Sequence, residues 1–212
     1  MASLSHNPEF VLLGQEGLQH ARPPPDDVQT LPDLFAHTVA QHPHRPALSC
    51  SSDGTLHTLS YLDLGRKVRH ISDALQELSD PSSENAPPVV GIWLERSADL
   101  TIAVLSATTA GFTWLPFDPD APADRVRACL DDSNAMFILC DDAHYDRACV
   151  VSQSVQKCRT IRFSDLAAHS GPTDQNLSSA TRGQIRPDDP AYLIYTSGSK
   201  HRILDVYFIN LT

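Results

Sequence analysis

The sequence lacks the features that would insert it into a membrane or export it. No apolar run approaches the ~20 residues that a bilayer-spanning helix requires. The first residues, Met1 to Gly14, have neither a basic start nor a long apolar core, so they do not form a secretory signal. These absences exclude the transmembrane and secreted classes of protein and predict a cytoplasmic location.

Paired cysteines are also absent. The chain has five cysteines, an odd number, and none of them forms a Cys-x-x-Cys motif, so we expect reduced thiols rather than a disulfide framework. A metal site formed by Cys140, His144 and Cys149 is conceivable, but their spacing fits no standard zinc pattern. We favour scattered structural residues, because Cys140 lies in an apolar run, where a thiol behaves as a small hydrophobe. The sequence therefore predicts no metal site.

Basic residues are few. The 16 lysines and arginines are outnumbered by 26 acidic residues, which gives a formal net charge of -10. This excess repels nucleic-acid phosphates and anionic lipids, and the basic residues form no stripe. We therefore expect neither nucleic acid nor membrane as a partner. At 41% hydrophobic residues the chain nevertheless has enough apolar material for a packed core.

Strands and helices alternate along the middle of the chain. Short apolar runs bounded by turn residues predict strands at 46–50, 56–59, 89–94, 112–115, 135–140, 160–163 and 191–195. Capping residues and apolar stripes predict helices that begin at Thr30, Ser60, Ser97 and Pro122, and Gly111 suits the left-handed position at the end of the third. The run 89–94 is apolar throughout, which predicts a strand that is buried on both faces. Short connections between alternating elements are typical of a parallel sheet, so the fold class is α/β, a parallel doubly wound layer. The polar segment from Ser164 to Asp189 is predicted to be a long loop.

The last predicted strand runs into a loop rich in hydroxyl groups. Thr196, Ser197, Gly198 and Ser199 follow the apolar run 191–195 directly. Their hydroxyls can donate to phosphate oxygens, and Gly198 permits a positive φ that brings backbone N–H groups close to an anion. An ordinary turn also explains such a sequence, and the residues alone leave both interpretations open.

Three stretches resemble motifs of the adenylate-forming enzymes, especially the adenylation domains of nonribosomal peptide synthetases and aminoadipate-reductase-like proteins. Tyr195 to Ser199 resembles the first half of the family's phosphate-loop signature. Thr58 to Leu64 resembles its Leu-Ser/Thr-Tyr-x-Glu-Leu motif, and Ala110 to Pro119 resembles its Ala-Gly-x-x-Tyr-x-Pro-x-Asp-Pro motif. The three motifs stand in the family's order and together cover roughly residues 28 to 199.

The resemblance implies a function for a complete family member. Such an enzyme binds ATP and Mg²⁺, and the carboxylate of an amino acid or other carboxylic acid attacks the α-phosphate to give an acyl adenylate. The acyl group then usually passes to a thiol, often on a phosphopantetheine carrier domain. By this resemblance the residues that bind the ATP phosphates are Thr196, Ser197, Gly198 and Ser199. No catalytic residue and no metal ligand is assigned.

The sequence departs from the family after Ser199. The signature continues Thr-Gly-x-Pro-Lys-Gly in the family, whereas this chain has Lys200, His201 and Arg202, with Leu204 where the phosphate-binding lysine belongs. We therefore divide the chain into an N-terminal extension (1–27), a truncated N-terminal portion of an adenylation domain (28–199) and a divergent tail (200–212). A reading frame that leaves the coding sequence after Ser199 explains the tail. Its last part, Ile203 to Thr212, is β-prone and carries a single charge, at Asp205, and strands whose partners are absent should leave unpaired edges. Both features predict poor solubility.

These departures predict a fragment of an ATP-dependent adenylating ligase that is inactive alone and binds no cofactor productively. The alternatives are a non-catalytic interaction module and a decayed or mispredicted gene product. Asp118 and Asp132 invite a role as general bases, and Arg125 with Asp124 a charged site. We favour helix capping and surface pairing for these residues, because an aspartate is stabilised at a helix start. Lys200 and Arg202 are interpreted as solvated residues.

Overall fold

The computed structural model describes residues 28–52, 55–79, 87–168, 185–195 and 204–207. In chain order, the helices of these ranges are α1 (Leu31–Gln41), α2 (Tyr61–Leu78), α3 (Ala98–Thr109), α4 (Ala123–Asp132), α5 (Tyr145–Gln153) and α6 (Phe163–Ala168). The strands are β1 (Pro46–Ser52), β2 (Thr55–Ser60), β3 (Val89–Trp93), β4 (Thr113–Pro116), β5 (Phe137–Cys140), β6 (Arg159–Arg162), β7 (Tyr192–Tyr195) and β8 (Leu204–Tyr207). Within these ranges, every helix is too short or too polar to cross a bilayer.

The main sheet has the order β6-β5-β3-β4-β7-β8, and its first five strands are parallel. Helices connect these parallel strands, so the predicted parallel α/β fold is confirmed. The strands β1 and β2 form a separate antiparallel pair. Their formation confirms the two short strands predicted from the sequence.

Apolar residues cover the main sheet on both faces. One core cluster joins Val90 and Ile92 of β3 to the apolar stripes of α2 and α3 and to α6. The other joins Trp93 of β3 and Ile138 of β5 to α4 and α5. Because successive strand residues point to opposite faces, β3 contributes to both clusters. The prediction that β3 is buried on both faces is confirmed.

The first helix begins with a complete capping box. Thr30 Oγ1 accepts a hydrogen bond from Asp33 N at 3.3 Å, and Asp33 Oδ2 accepts one from Thr30 N at 3.0 Å. Pro32 lies in the first turn, where no intrahelical donor is lost. The structure thus confirms the predicted start of α1 and accounts for two of its N-terminal donors.

Replacing Thr30 with alanine is expected to lower the free energy of unfolding by about 1 kcal/mol, because Asp33 N loses its acceptor. The replacement Thr30→Ser keeps the hydroxyl and serves as the control. Urea unfolding of the two variants measures the difference. Equal destabilisation by serine and alanine would show that the lost methyl group, and not the cap, matters.

Two local predictions around α3 have different outcomes. Gly111 ends the helix with a φ of +84°, so the left-handed position predicted for this glycine is confirmed. Ser97 occupies the N-cap position, but its side chain makes no capping hydrogen bond, so the predicted cap is wrong. Its φ of -144° and ψ of 177° are ordinary extended backbone, and the side chain is exposed to water as an alternative partner.

Helices α5 and α6 were not predicted from the sequence. In α5 the buried residues include only the small side chains of Ala148 and Ser152 beside Val151, so the apolar stripe is weak. Helix α6 has six residues, too few to reveal a periodicity, and it occupies the start of the predicted 164–189 loop. Residues 169–184 of that loop lie outside the described ranges.

Strand β7 is less buried than its apolar sequence predicted. Leu193 is buried, but Ile194 is 39% exposed and the other two residues are half-buried. The register explains this difference, because Leu193 lies on the face that carries α4 and Ile194 points to the opposite face. The outer edge of β7 pairs with β8 in antiparallel register, with Tyr195 opposite Leu204. The sequence-based expectation that unpaired strand edges remain is therefore wrong for β7.

Candidate functional site

The residues predicted to bind phosphate, Thr196, Ser197, Gly198 and Ser199, lie outside the described residues. The structure describes the chain up to Tyr195, the last residue of β7. In a parallel sheet the carboxyl ends of the strands meet at one edge, where ligands of α/β proteins commonly bind. Strand β7 thus delivers the predicted loop to the same edge as the segments that follow β3, β4 and β5.

A buried histidine ties two of these segments together. His144 is 4% exposed, and its Nδ1 lies 2.7 Å from Asp141 Oδ1 while its Nε2 lies 3.0 Å from the carbonyl oxygen of Pro119. Its two ring nitrogens thus contact two different segments, and the ring connects the segment after β5 to the loop after β4.

The Asp141 carboxylate is the centre of this arrangement. It accepts hydrogen bonds from Glu95 N at 2.7 Å and from His144 N at 3.0 Å, in addition to the imidazole. Burial alone would raise the pKa of Asp141, but these hydrogen bonds favour the charged form and hold the pKa below its usual value. The carboxylate therefore stays ionised and joins the segments after β3 and β5.

Trp93 and Arg147 complete the attachment of the loop after β4. The indole Nε1 of Trp93 donates to Asp118 O at 3.1 Å, and Arg147 Nη2 donates to Ala121 O at 2.9 Å. The Arg147 guanidinium also lies over the Trp93 ring, 4.5 Å from its centroid. These contacts attach the loop after β4 to β3 and α5.

Helix α4 contacts the residue from which the predicted phosphate loop begins. Arg125 Nη2 donates to the carbonyl oxygen of Tyr195 at 3.1 Å, and the Tyr195 hydroxyl donates to Asp132 Oδ2 at 2.8 Å. Burial and the adjacent Asp132 carboxylate raise the pKa of Tyr195 above its usual value, so the phenol stays protonated and keeps donating.

These contacts change the interpretation of the candidate charged residues. Asp132 bonds Tyr195 at the end of α4 and does not cap a helix start. Arg125 also bonds Tyr195, and Asp124 forms an ion pair with Arg127 at 3.7 Å. The predicted capping and pairing roles of Asp132 and Arg125 are therefore wrong, because both residues act across the fold. Asp118 does not cap a helix start either, because its carboxylate accepts a hydrogen bond from Asp120 N at 3.0 Å, in the turn before α4, whose N-cap residue is Pro122.

The cysteines of the described residues are free thiols. Burial raises the pKa of Cys140 to about 12 and that of Cys158 to about 11, so neither is a reactive thiolate near neutral pH. No cluster of three or more histidine, cysteine or acidic side chains within the described ranges could hold a metal ion. His144 instead bonds Asp141 and Pro119, as a structural residue does.

One known protein family matches most of this sequence. The model described as "AMP-binding enzyme" matches residues 35–200, which is most of the chain. The chain belongs to this family. The match includes all three motifs on which the resemblance was based, so the predicted membership of the AMP-binding family is confirmed.

Curated relatives of this AMP-binding chain include large synthetases. It is 33% identical over 173 residues to the delta-poly-L-ornithine synthetase of Acinetobacter baumannii, covering 81% of this chain and 11% of the relative. It is 30% identical to tyrocidine synthase 3 of Brevibacillus parabrevis, covering 81% of this chain and 2% of the relative. The chain therefore spans a small part of the relatives it matches.

Solved structures of the same fold include the N-terminal subdomain of Klebsiella oxytoca NpsA in complex with anthranilyl-AMSN. That subdomain aligns with a TM-score of 0.63 at 20% identity over 84% of this chain and 41% of the subdomain. A fatty acyl-adenylate ligase from L. pneumophila, in complex with acyl adenylate and pyrophosphate, aligns with a TM-score of 0.62 at 20% identity, covering 80% of this chain and 28% of the ligase. At these identities the alignments establish the fold alone.

Proposed function

We propose that residues 28–199 form the part of an amino-acid- or carboxylic-acid-adenylating ligase that holds the ATP phosphates. The observation that carries this proposal is the continuity of β7 with Thr196, Ser197, Gly198 and Ser199 inside the family match. The hydroxyls and the glycine of this segment have the donor chemistry that phosphate oxygens require. A ligase of the same fold supports the substrate class, since the L. pneumophila enzyme was solved in complex with acyl adenylate and pyrophosphate.

We further propose that these 212 residues by themselves do not form an acyl adenylate. The chain aligns with 41% of the NpsA N-terminal subdomain, and Leu204 stands where the family has its phosphate-binding lysine. Adenylate formation develops charge on phosphate oxygens, which requires positioned cationic groups. The described residues hold no acidic cluster for Mg²⁺, so no step is assigned to that ion. In this proposal residues 1–27 are an extension and residues 200–212 a tail outside the family pattern.

The proposal also includes the setting in which the complete enzyme acts. Bound ATP supplies the electrophilic α-phosphorus, and the loop residues of this chain hold the phosphates and orient them. The relatives include the L-proline--[L-prolyl-carrier protein] ligase of Pseudomonas fluorescens, of which the chain covers 33% at 26% identity. The name of this relative refers to a carrier protein, and we propose a phosphopantetheine carrier domain as the acceptor. A cytoplasmic location remains part of the proposal.

Two measurements on the 212-residue chain test the two parts of the proposal. First, the ³¹P resonances of ATP should broaden when the protein is added, because the nucleotide binds. Ser197→Ala should lower the affinity for ATP about fivefold, because one phosphate donor is lost. Second, ATP–pyrophosphate exchange with amino acids and aryl acids should stay at the level of the protein-free blank.

The matched control is Ser51→Ala, which removes a hydroxyl from an exposed position of strand β1. Its ATP affinity should equal that of the unchanged protein. Absence of ³¹P broadening, or equal weakening by both alanine variants, would contradict phosphate binding by the loop. Exchange above the blank would contradict the proposed inactivity and leave the binding proposal standing.

A further inference from the structure

The outer edge of β7 is suited to accept another strand. The four residues of β7, Tyr192 to Tyr195, are apolar or aromatic, and the inner edge of the strand pairs with β4. A strand edge presents a row of backbone N–H and C=O groups, and an edge without charge pairs readily with strands of other molecules. We call this outer edge of β7 the strand-accepting edge.

In this chain β8 occupies the strand-accepting edge. Every residue of β7 has a partner in β8, in antiparallel register from Tyr192 opposite Tyr207 to Tyr195 opposite Leu204. Strand β8 lies beyond residues 35–200, which match the family, and no further strand follows it in the described part of the sheet. The outermost strand on this side of the sheet is therefore β8, which has only four residues.

The new outermost strand differs from β7 in charge. Asp205 is the only charged residue of the segment 203–212, and in the register it stands opposite Ile194. Ile194 is the exposed residue of β7. A charged residue on an edge strand opposes the addition of a further strand, because the incoming strand would desolvate the charge.

The opposite edge of the sheet has the same two features. It is formed by β6, which also has four residues and carries an arginine at each end, Arg159 and Arg162. The four strands between β6 and β8 carry no charged residue. Short edge strands with charged residues are a common protection against association of sheets edge to edge. In the described sheet, charge is therefore confined to the two outermost strands.

We infer that β8 is an edge-protecting strand, which covers the strand-accepting edge and, through Asp205, prevents a second copy of the chain from pairing at this side of the sheet. The partner to be excluded is a second copy, because two identical edges can pair in antiparallel fashion about a two-fold axis. This inference does not depend on phosphate binding by residues 196–199.

The first test compares Asp205→Asn with Asp188→Asn in the full chain. Both variants remove one negative charge, but Asp188 lies at an exposed position before β7 and outside any strand. In sedimentation equilibrium at about 100 µM, the weight-average mass of Asp205→Asn should be about twice that of the unchanged protein, whereas Asp188→Asn should stay monomeric. Equal masses for the two variants, or an unchanged protein that already associates, would overturn the inference.

A second test removes the pairing between β7 and β8. Prolines at both Val206 and Tyr207 delete at least one N–H that points to β7, because neighbouring strand residues direct their N–H groups to opposite sides. The control places the same two prolines at Asn210 and Leu211, beyond β8. Only the β8 variant should form dimers, and the amides of residues 192–195 should exchange about tenfold faster in it.

Protected amides in β3 and β5 of the β8 variant would show that the rest of the sheet remains folded. A β8 variant that stays monomeric in that state would overturn the inference. If the two prolines unfold the whole chain, Asp205→Asn still decides the question, because it leaves every backbone N–H of β8 in place.

Discussion

Replacing Trp93 with alanine should lower the free energy of unfolding by about 3–5 kcal/mol, which is the largest effect expected of any single replacement discussed for this chain. Trp93 is fully buried in the centre of the sheet, and its ring packs against Phe117 and His144. The variant would lose this apolar contact and would leave a cavity under α5. It would also leave the Asp118 carbonyl without its indole donor.

Urea unfolding followed by far-ultraviolet circular dichroism measures this effect without relying on tryptophan fluorescence. The replacement Leu56→Ala is the matched control, because Leu56 is a large apolar side chain that is 69% exposed. It should change the free energy of unfolding by less than about 0.5 kcal/mol. Similar losses in the two variants would contradict a core built around Trp93.

The second large effect concerns Asp141. The replacement Asp141→Ala should lower the free energy of unfolding by about 2 kcal/mol, because three donors lose their acceptor, including the buried His144 ring. The neighbouring Asp142 is the control, since its side chain is 72% exposed and its replacement by alanine removes the same charge. Urea midpoints of the two variants at neutral pH measure the difference.

The same residue predicts how stability depends on pH. The folded state holds the pKa of Asp141 below its unfolded value of about 4, so the unfolded state binds the proton more readily. The stability that Asp141 contributes is therefore complete above that unfolded value and is lost as the pH falls through the lower, folded pKa. As the pH is lowered, the free energy of unfolding should fall less steeply for Asp141→Ala than for Asp142→Ala. The same dependence of the free energy of unfolding on acid pH in the two variants would contradict the assigned hydrogen bonds.

Sequence patterns predicted the elements whose signals are local. The capping box at Thr30, the apolar stripe of α2 and the left-handed Gly111 each depend on residues within one or two turns, and all three are confirmed. The alternation of strands and helices along the chain was then enough to predict the parallel fold. Helix α6 was missed because Phe163 and Leu166 form a single apolar pair, too little for a periodic signal.

The contacts near the candidate site could not be predicted in the same way. Asp132 and Tyr195 are 63 residues apart, and His144 and Pro119 are 25 residues apart, so topology brings each pair together. Two spacings in the sequence nevertheless indicated that these residues could act together. Asp141 precedes His144 by three residues, a spacing at which an aspartate can bond the following turn, and Arg125 and Asp132 share one side of a helix.

The position of β7 has a consequence for the order in which the chain folds. Strands β3 to β6 come from one continuous segment, whereas the contact of Thr113 with Pro190 closes a separation of 77 residues. Closing so long a loop costs more chain entropy than joining neighbouring strands, so we expect β7 to add to a layer that already exists. It contributes one buried side chain, Leu193, to the core. The strand that carries the predicted loop can therefore detach and exchange its amide hydrogens while the four-stranded layer stays folded.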